Sequence, residues 1–469
     1  MGIALNNKNL QSTKEINIFN KYVVTYILIG QIFSFIVFGF NVYFQIAFFI
    51  TLSQCTLLFF NIGKIIPIRY LIGTMYSINY LLVPVIMYSG LNENVSEDYR
   101  MVGLPDVYFS YAIPAMLMLI LGLHLFKSKD DSILNVKKIT AIAISSPKLP
   151  IYLIIIGLIC GFISPFVPSE ISLIFDSIGY FKYVGFFLSL FNGKPINYLY
   201  LALTYGLLLI ISLTSSLFND LLNLLFFLGF ILALRYKVSN RTKILGILAV
   251  IVLVVLIQTI KFQLREKVSS NISVLTKINE AISESSEQSE TKTTKDKIAD
   301  VLVRLDQGWV TSKSIEYFNT GGYELQNGKH AIIILKSSIL PRILAPDKLK
   351  IGDPQEFNKY SGHYVNDGTS IALGIFADGY IDFGQAGILE VFVFGLIISL
   401  FIKIYHKMDS KYPLIKIFIP IGFFYAVRPD TDTQSALGAL FKITFIIWLA
   451  MIYISNNYKR FAAVAKRVK

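Results

Sequence analysis

The chain has 469 residues, of which 54% are apolar or aromatic and only 16% are charged. A typical soluble domain is roughly 25% charged. The low charged fraction and the long apolar blocks therefore exclude an ordinary soluble enzyme. The formal net charge is +13, which in a soluble protein would favour nucleic acid or a membrane surface as partner. Here it is better explained as an orientation signal. The two cysteines, Cys55 and Cys160, lie far apart in apolar runs and predict neither a disulfide framework nor a zinc site.

About twelve apolar segments, each close to the length that crosses a bilayer, follow one another along the chain. They lie at roughly 21–38, 42–60, 68–88, 107–126, 149–167, 171–191, 197–216, 219–235, 244–261, 385–403, 413–428 and 436–455. Three of them are weak predictions. The segment 171–191 contains Asp176 and Lys182, 219–235 is short, and 413–428 contains Lys416. The sequence therefore predicts an all-α polytopic membrane protein.

Basic residues in short loops predict which ends of these segments face the cytoplasm. The N-terminal tail, the loops near 64, 127–138 and 235–243, and the C-terminal tail are basic, whereas the loop 89–106 is acidic. The basic loop 235–243 falls on the inner side only if 171–191 crosses the membrane. We therefore expect both termini to be cytoplasmic. The first apolar run lacks a convincing cleavage site and is expected to stay as the first span.

This topology places one long polar segment, roughly 262–384, on the outer side. It separates an N-terminal membrane domain, 1–261, from a C-terminal membrane domain with a basic tail, 385–469. The composition of 282–297 is typical of disorder. The apolar run 331–340 suggests a helix lying at the membrane surface, and the Gly- and Pro-rich stretch after it suggests an ordered irregular loop. Loop 428–435 also faces outward in this topology.

Several arginines lie on the outer side, where orientation signals do not require them. Arg304, Arg342 and Arg428 are candidates for binding phosphate, because a guanidinium matches two phosphate oxygens and keeps its charge. The alternative for each is an ordinary solvated charge, and for Arg428 a side chain that reaches from a span end to the interface. Lys348 and Lys350 are better explained as solvated charges.

Carboxylates cluster in the same outer region. If the segment from Ala377 to Glu390 is helical, Asp378 and Asp382 lie four residues apart on one face, and Glu390 is buried about two turns into a span. The alternative is that the two aspartates only cap a helix start. His363 is the best-placed imidazole for acid–base chemistry, although a lone histidine is more often a surface residue. His330 is a weaker candidate.

Asp430 and Asp432 form an Asp-x-Asp pair similar to that of nucleotide-sugar transferases, but the signal is weak. The pair falls on the outer side, whereas nucleotide sugars are cytoplasmic. We therefore predict no metal site and no cofactor from the sequence.

A set of short motifs in the outer segment resembles a known family. The motifs are Arg304-Leu-Asp306, Pro341-Arg342 with Pro346 and Lys348, Asp367-Gly-Thr-Ser370, the Gly-rich run from Gly374 to Gly387, and Arg428-Pro-Asp430. With many spans and one large outer loop, they resemble the Wzy-type polymerases of bacterial surface polysaccharide. Pro429 departs from the pattern, since many relatives have glycine there.

The resemblance implies a membrane glycosyltransferase with a GT-C-like architecture in the bacterial cytoplasmic membrane. Its substrate would be an undecaprenyl-diphosphate-linked oligosaccharide, polymerised at the outer leaflet into O-antigen, capsule or exopolysaccharide. A chain-length regulator and a flippase of the same pathway would be partners, and nucleic acid would not.

In this interpretation, Asp378 or His363 is the catalytic base and Arg304, Arg342 and Arg428 bind the diphosphate. The residues expected to contact sugars are Tyr360, Tyr364, Tyr380, Asp367 and Asp430. The rival functions are an O-antigen ligase-like transferase, a polysaccharide flippase or transporter, and a scaffold without chemistry of its own.

Overall fold

The computed structural model describes residues 23–128, 133–215, 218–266, 294–340, 348–366 and 369–457. Within these ranges the regular structure is helical, apart from one isolated bridge between Ile62 and Ile65. This agrees with the predicted all-α class, because a segment that crosses lipid must satisfy its backbone hydrogen bonds internally.

The helices of the N-terminal half are numbered here in chain order. They are α1 Val23–Phe38, α2 Val42–Asn61, α3 Ile68–Asn94, α4 Pro105–Leu125, α5 Val136–Ser145, α6 Leu149–Phe166, α7 Ser169–Gly179, α8 Phe181–Ser189, α9 Tyr198–Leu213, α10 Asn219–Tyr236 and α11 Asn240–Glu266. Two π-helical segments interrupt α3.

The helices of the C-terminal half follow after residue 293. They are α12 Thr294–Leu302, α13 Gly308–Asn319, α14 Lys329–Ile339, α15 Pro354–Ser361, α16 Gly374–Phe383, α17 Ile388–Met408 and α18 Thr433–Asn457. Helix α15 lies within the stretch predicted to be irregular. Its N-cap is Asp353, which accepts a hydrogen bond from the backbone N–H of Gln355, so a local cap starts a helix there.

Among the described residues, seven helical segments are long and apolar enough to cross a membrane. They are α2, α3, α4, α6, α10, the combined segment Gly374–Met408, and α18; α1 and α9 are shorter apolar helices. The protein is therefore a polytopic membrane protein. The full number of about twelve spans and a GT-C-like arrangement stay predictions, as does the division at 261 and 384.

Two of the weak predicted spans are not continuous helices. The segment 171–191 forms α7 and α8, which meet at Tyr180. Together they run antiparallel to α6, since Gly179 lies beside Gly161 and Gly185 beside Pro150. The segment 413–428 is buried and largely irregular, with a 3-10 turn at Ile415–Phe418 and one short helix at Ile419–Gly422.

Contacts between distant loops fall into two groups, one at each end of the helices. At one end, Arg428 pairs with Asp220 at 2.9 Å and Asn94 donates to Asp296 at 2.8 Å. At the other end, Arg235 donates to the carbonyl oxygen of Lys194 at 2.7 Å. There Lys416 also donates to the carbonyl oxygen of Ile133 at 2.9 Å, and Lys138 lies 3.9 Å from Asp409. Loops predicted to share a side of the membrane thus contact one another. Which end faces the cytoplasm stays a prediction from the loop charges.

Helices α4 and α17 cross at very short range through two glycines. A Cβ atom at Gly395 would lie 2.6 Å from the carbonyl oxygen of Leu119, and one at Gly122 would clash with the carbonyl oxygen of Phe392. Small residues of this kind let two backbones approach closely within a membrane, where packing replaces the hydrophobic effect as the attraction. This contact fixes α17, and through it α16, against the N-terminal helices.

Candidate functional site

A cleft opens between α14, α16 and the N-terminal end of α18, on the side that carries the predicted outer loops. Its empty space is about 340 Å³, part of it open to solvent. The residues that line it include the carboxylates of Asp353, Glu356, Asp378 and Asp432. Elements that are far apart in sequence therefore bring ionisable side chains together.

Three buried polar side chains at the cleft, those of His330, Asp378 and Thr433, are joined by a chain of hydrogen bonds. Asp378, on α16, lies with one carboxylate oxygen 3.1 Å from Nε2 of His330, in the first turn of α14. Its other oxygen accepts a hydrogen bond of 2.5 Å from the hydroxyl of Thr433, the first residue of α18. His330 and Asp378 are each 3% exposed. The chain thus ties three helices together at the cleft.

The hydrogen bond with Asp378 decides the tautomer of His330. A carboxylate only accepts, so we assign the ring proton to Nε2, which leaves Nδ1 with a free lone pair. Nδ1 is buried and has no hydrogen-bond partner among the described residues. An imidazole oriented by a carboxylate and carrying an unused nitrogen is the arrangement that a general base requires.

Asp382 positions this histidine from the same face of α16. Its carboxylate accepts hydrogen bonds from the backbone N–H groups of Gly328, His330 and Ala331, at 2.9, 3.1 and 2.6 Å. These are donors that the first turn of α14 leaves unpaired. The spacing of four therefore does place both carboxylates on one face, and the capping alternative holds for Asp382, although the helix it caps is α14.

Burial and nearby charges act in opposite directions on His330. Burial disfavours the imidazolium, but the hydrogen bond and charge of Asp378, together with Asp382 and Glu356, favour it more. The pKa of His330 is therefore raised above its ordinary value. The raised pKa makes the neutral imidazole a stronger base, and it moves the pH range in which the imidazole is free to accept a proton upward.

Glu390 differs from its prediction. It is the third residue of α17, in the first turn. Helix α16 ends at Phe383, Gly384 follows with φ +57°, and α17 begins only at Ile388. It is only partly buried, and its Oε2 has no hydrogen-bond partner among the described residues. An acidic residue there interacts favourably with the helix dipole.

The other predicted base, His363, is not among the residues that line the cleft. It is partly exposed, and its Nε2 lies 3.4 Å from an oxygen of Asp98. Burial and the charge of Lys313 lower the pKa of His363. The structure thus gives the buried position beside Asp378 to His330, the histidine that the sequence ranked lower.

The predicted phosphate-binding arginines are not gathered in the cleft. Arg304 is exposed and stacks over the ring of Tyr99 at 5.6 Å. Arg428 lies 2.9 Å from an oxygen of Asp220 and 3.6 Å from one of Asp430, so two carboxylates already neutralise it. Arg342 lies outside the described residues. Lys350 is a cation that does line the cleft.

The predicted sugar-binding residues are also dispersed. Tyr360 and Tyr380 are 2% and 4% exposed, and their hydroxyls contact Lys359 and Asn319. Tyr364 is 73% exposed. Asp430 is paired with Arg428 and accepts a hydrogen bond from Asn219, and Asp367 lies outside the described residues.

The Asp-x-Asp pair is divided between two roles. Asp430 belongs to the ion pair at Arg428, whereas Asp432 lines the cleft and accepts a hydrogen bond of 2.7 Å from the backbone N–H of Gly352. Burial raises the pKa of Asp432 to about 7. Among the described residues, no group of three His, Cys, Asp or Glu side chains is placed to hold a metal ion.

Sequence reasoning missed His330, Thr433, Asp432 and Glu356 as members of one site. His330 and Asp378 are 48 residues apart, and Thr433 lies 55 residues beyond Asp378. No local spacing connects residues so far apart, and only the packing of α14 and α18 on α16 brings them together. The signal available in the sequence was the cluster of acidic residues from Asp378 to Glu390, of which Asp378 lines the cleft.

Comparisons with known proteins identify no relative: no family model matches the chain, and no curated protein or solved structure matches it significantly.

Proposed function

We propose that the protein is a membrane glycosyltransferase that polymerises undecaprenyl-diphosphate-linked oligosaccharide repeat units at the outer leaflet of the bacterial cytoplasmic membrane. The observation that carries the proposal is the buried His330–Asp378–Thr433 chain in a cleft on the predicted outer side. The sequence motifs that resemble Wzy-type polymerases agree with it, since Asp378 and the helix that bears it lie within one of them.

The proposed reaction is a substitution at an anomeric carbon. Nδ1 of His330 accepts the proton of an acceptor hydroxyl, whose oxygen forms a bond to the anomeric carbon of the growing glycan. The bond from that carbon to the diphosphate oxygen breaks, and undecaprenyl diphosphate leaves with the electron pair. Asp378 stabilises the imidazolium that results, as a carboxylate does for an oriented histidine.

The leaving diphosphate needs cations. Lys350 lines the cleft. Lys348 donates to the carbonyl oxygen of Leu340 at 3.3 Å, so the residues on either side of 341–347 contact each other. Arg342 belongs to that stretch of sequence. A cation such as Lys350 would offset the charge that develops on the leaving oxygens. We therefore retain Arg342 for this role and place Arg428 outside it.

The alternative functions make different lipid-linked intermediates accumulate. Deletion of a polymerase leaves single lipid-linked repeat units, whereas deletion of a ligase leaves long lipid-linked chains. Deletion of a flippase leaves single units on the cytoplasmic side, where added glycosidases do not reach them in intact cells. Single units accessible from outside support the proposal, and either of the other patterns contradicts it.

A further inference from the structure

Three residues that line the cleft each carry a buried hydrogen-bond acceptor that no described residue satisfies. Nδ1 of His330, Oε1 of Gln434 and Oε2 of Glu356 are buried atoms without a hydrogen-bond partner among the described residues. His330 and Gln434 are 3% and 8% exposed, and all three residues line the cleft. A buried acceptor without a hydrogen bond costs free energy, so this wall is suited to a ligand that donates hydrogen bonds.

The orientation of Gln434 is fixed by its neighbour. Its amide nitrogen donates to the backbone carbonyl oxygen of Lys350 at 2.9 Å, so the oxygen is the atom that remains unused. The hydroxyl of Thr433 is likewise committed, since it donates to Asp378. The polar groups left for a ligand are therefore mainly acceptors.

The negative charge of the cleft also favours a neutral ligand that donates hydrogen bonds. Four carboxylates line the cleft, from Asp353, Glu356, Asp378 and Asp432, against Lys350 and the imidazole of His330. His330 is paired with Asp378 and burial raises the pKa of Asp432 to about 7, so the unpaired negative charge belongs mainly to Asp353 and Glu356. An anionic ligand would meet like charges at short range in a partly desolvated site, where charge–charge interactions are stronger than in water. A diphosphate or a carboxylated sugar therefore fits this wall poorly, whereas the hydroxyl groups of a neutral sugar fit it well.

We propose that this cleft binds the acceptor sugar through its hydroxyl groups and selects for a terminal residue without negative charge, while the lipid diphosphate lies on the side of the cleft that carries Lys350. This inference rests on the proposed function and adds the substrate class. Glu356 is a specificity-determining residue in this account, since its carboxylate lies on the wall without accepting a hydrogen bond at Oε2 from any described residue.

Ligand-observed NMR on the full-length protein in lipid nanodiscs tests the inference without turnover. The probes are methyl glycosides of glucose, galactose and mannose, each compared with the matching methyl uronide, which differs only at C6. At least one neutral glycoside is expected to bind with a Kd of about 1–10 mM. Its uronide is expected to bind about tenfold more weakly because of charge repulsion.

Three variants locate the selectivity. Glu356→Gln removes a charge but keeps an acceptor oxygen, so the ratio of the neutral to the uronide affinity should fall several-fold. Glu324→Gln, at an exposed position that does not line the cleft, is the matched control. It should change neither the affinity for the neutral glycoside nor the discrimination against the uronide. Gln434→Leu should lower the affinity for the neutral glycoside.

Three results would overturn the inference: equal or tighter binding of the uronides, no binding of any neutral glycoside at about 10 mM, or unchanged discrimination in Glu356→Gln. The assay contains no lipid-linked substrate. A protein that discriminates between these sugars but forms no glycosidic bond contradicts the proposed function alone, and one that polymerises without discriminating contradicts this inference alone.

Discussion

The free nitrogen of His330 is the atom on which the proposed chemistry depends. Nε2 forms a hydrogen bond with Asp378, which orients the side chain. Nδ1 has no hydrogen-bond partner among the described residues, so it is the nitrogen left to accept a proton. The ring of Tyr360 packs on it at 5.0 Å between centroids and limits its rotation. Orientation by packing and by a carboxylate is what separates a positioned base from a histidine that is merely buried.

Replacing His330 by alanine should lower the rate of glycan transfer by about 10²–10⁴-fold, which is the usual contribution of a general base. His363→Ala is the matched control, because His363 lies outside the cleft beside Asp98 and should retain nearly full activity. Both rates are measured with the same lipid-linked repeat unit. A larger loss of transfer rate in His363→Ala than in His330→Ala would show that His363 is the base, as the sequence predicted.

The pH dependence tests the pairing of His330 with Asp378. Since the pKa of His330 is raised, transfer should fall as the pH drops through a value above the ordinary pKa of a histidine, where the imidazole becomes protonated. Asp378→Asn removes the stabilising charge, so the acid limb should shift to lower pH while the maximum rate also drops. Rate–pH profiles of the two proteins measure the shift. An acid limb at the same pH in both would show that another group titrates.

Helix α16 positions the side chains of the proposed site and holds α14 beside it. Helix α16 carries Asp378 toward the ring of His330 and Asp382 toward the backbone of α14. It can do so because the chain turns sharply at Gly384 before α17 begins. One helix, α16, thus holds the reactive carboxylate and caps the helix that carries His330.

The crossing of α4 and α17 should be intolerant of added volume. Gly122→Ala puts a methyl group against the carbonyl oxygen of Phe392, and overpacking of this kind costs about 1–3 kcal/mol. Gly229→Ala is the control, since a Cβ there meets nothing within 4 Å and alanine favours a helix. Thermal unfolding of the two variants in one detergent gives the comparison. Equal melting temperatures would mean that the crossing is looser than the structure has it.

Sequence pattern predicted the elements better than the site. Apolar runs located α2, α4, α10 and α18 to within a few residues, because length and hydropathy alone define a span. The same reasoning did not reveal that 413–428 is largely irregular, since burial among other helices lets backbone depart from a helix there. The pairing of His330 with Asp378 depends on tertiary packing, which a single sequence does not display.

At the scale of the whole molecule, the loops sort into two ends, and the basic excess predicts that the end with Lys138, Lys416 and Arg235 is cytoplasmic. The cleft lies at the other end, beside α14 and α16. A lipid-linked sugar exposed at the outer leaflet would therefore meet the cleft directly, without crossing the bilayer again.

Cysteine labelling tests this orientation. In a background with Cys55 and Cys160 replaced by alanine, Tyr364→Cys and Ser410→Cys place single thiols at exposed positions on opposite ends. A membrane-impermeant maleimide added to intact cells should label Tyr364→Cys, and label Ser410→Cys only after the membrane is permeabilised. The reverse pattern would place the cleft on the cytoplasmic side and rule out chemistry at the outer leaflet.

The most direct test of the central claim is transfer by the purified protein. Full-length protein in lipid nanodiscs is given a defined undecaprenyl-diphosphate-linked repeat unit with no nucleotide sugar, and products are separated by length. We expect a ladder of lipid-linked glycans that differ by whole repeat units, release of undecaprenyl diphosphate with each new bond, and no ladder from His330→Ala. An unchanged single unit in every reaction, with protein shown to be folded, would contradict the account.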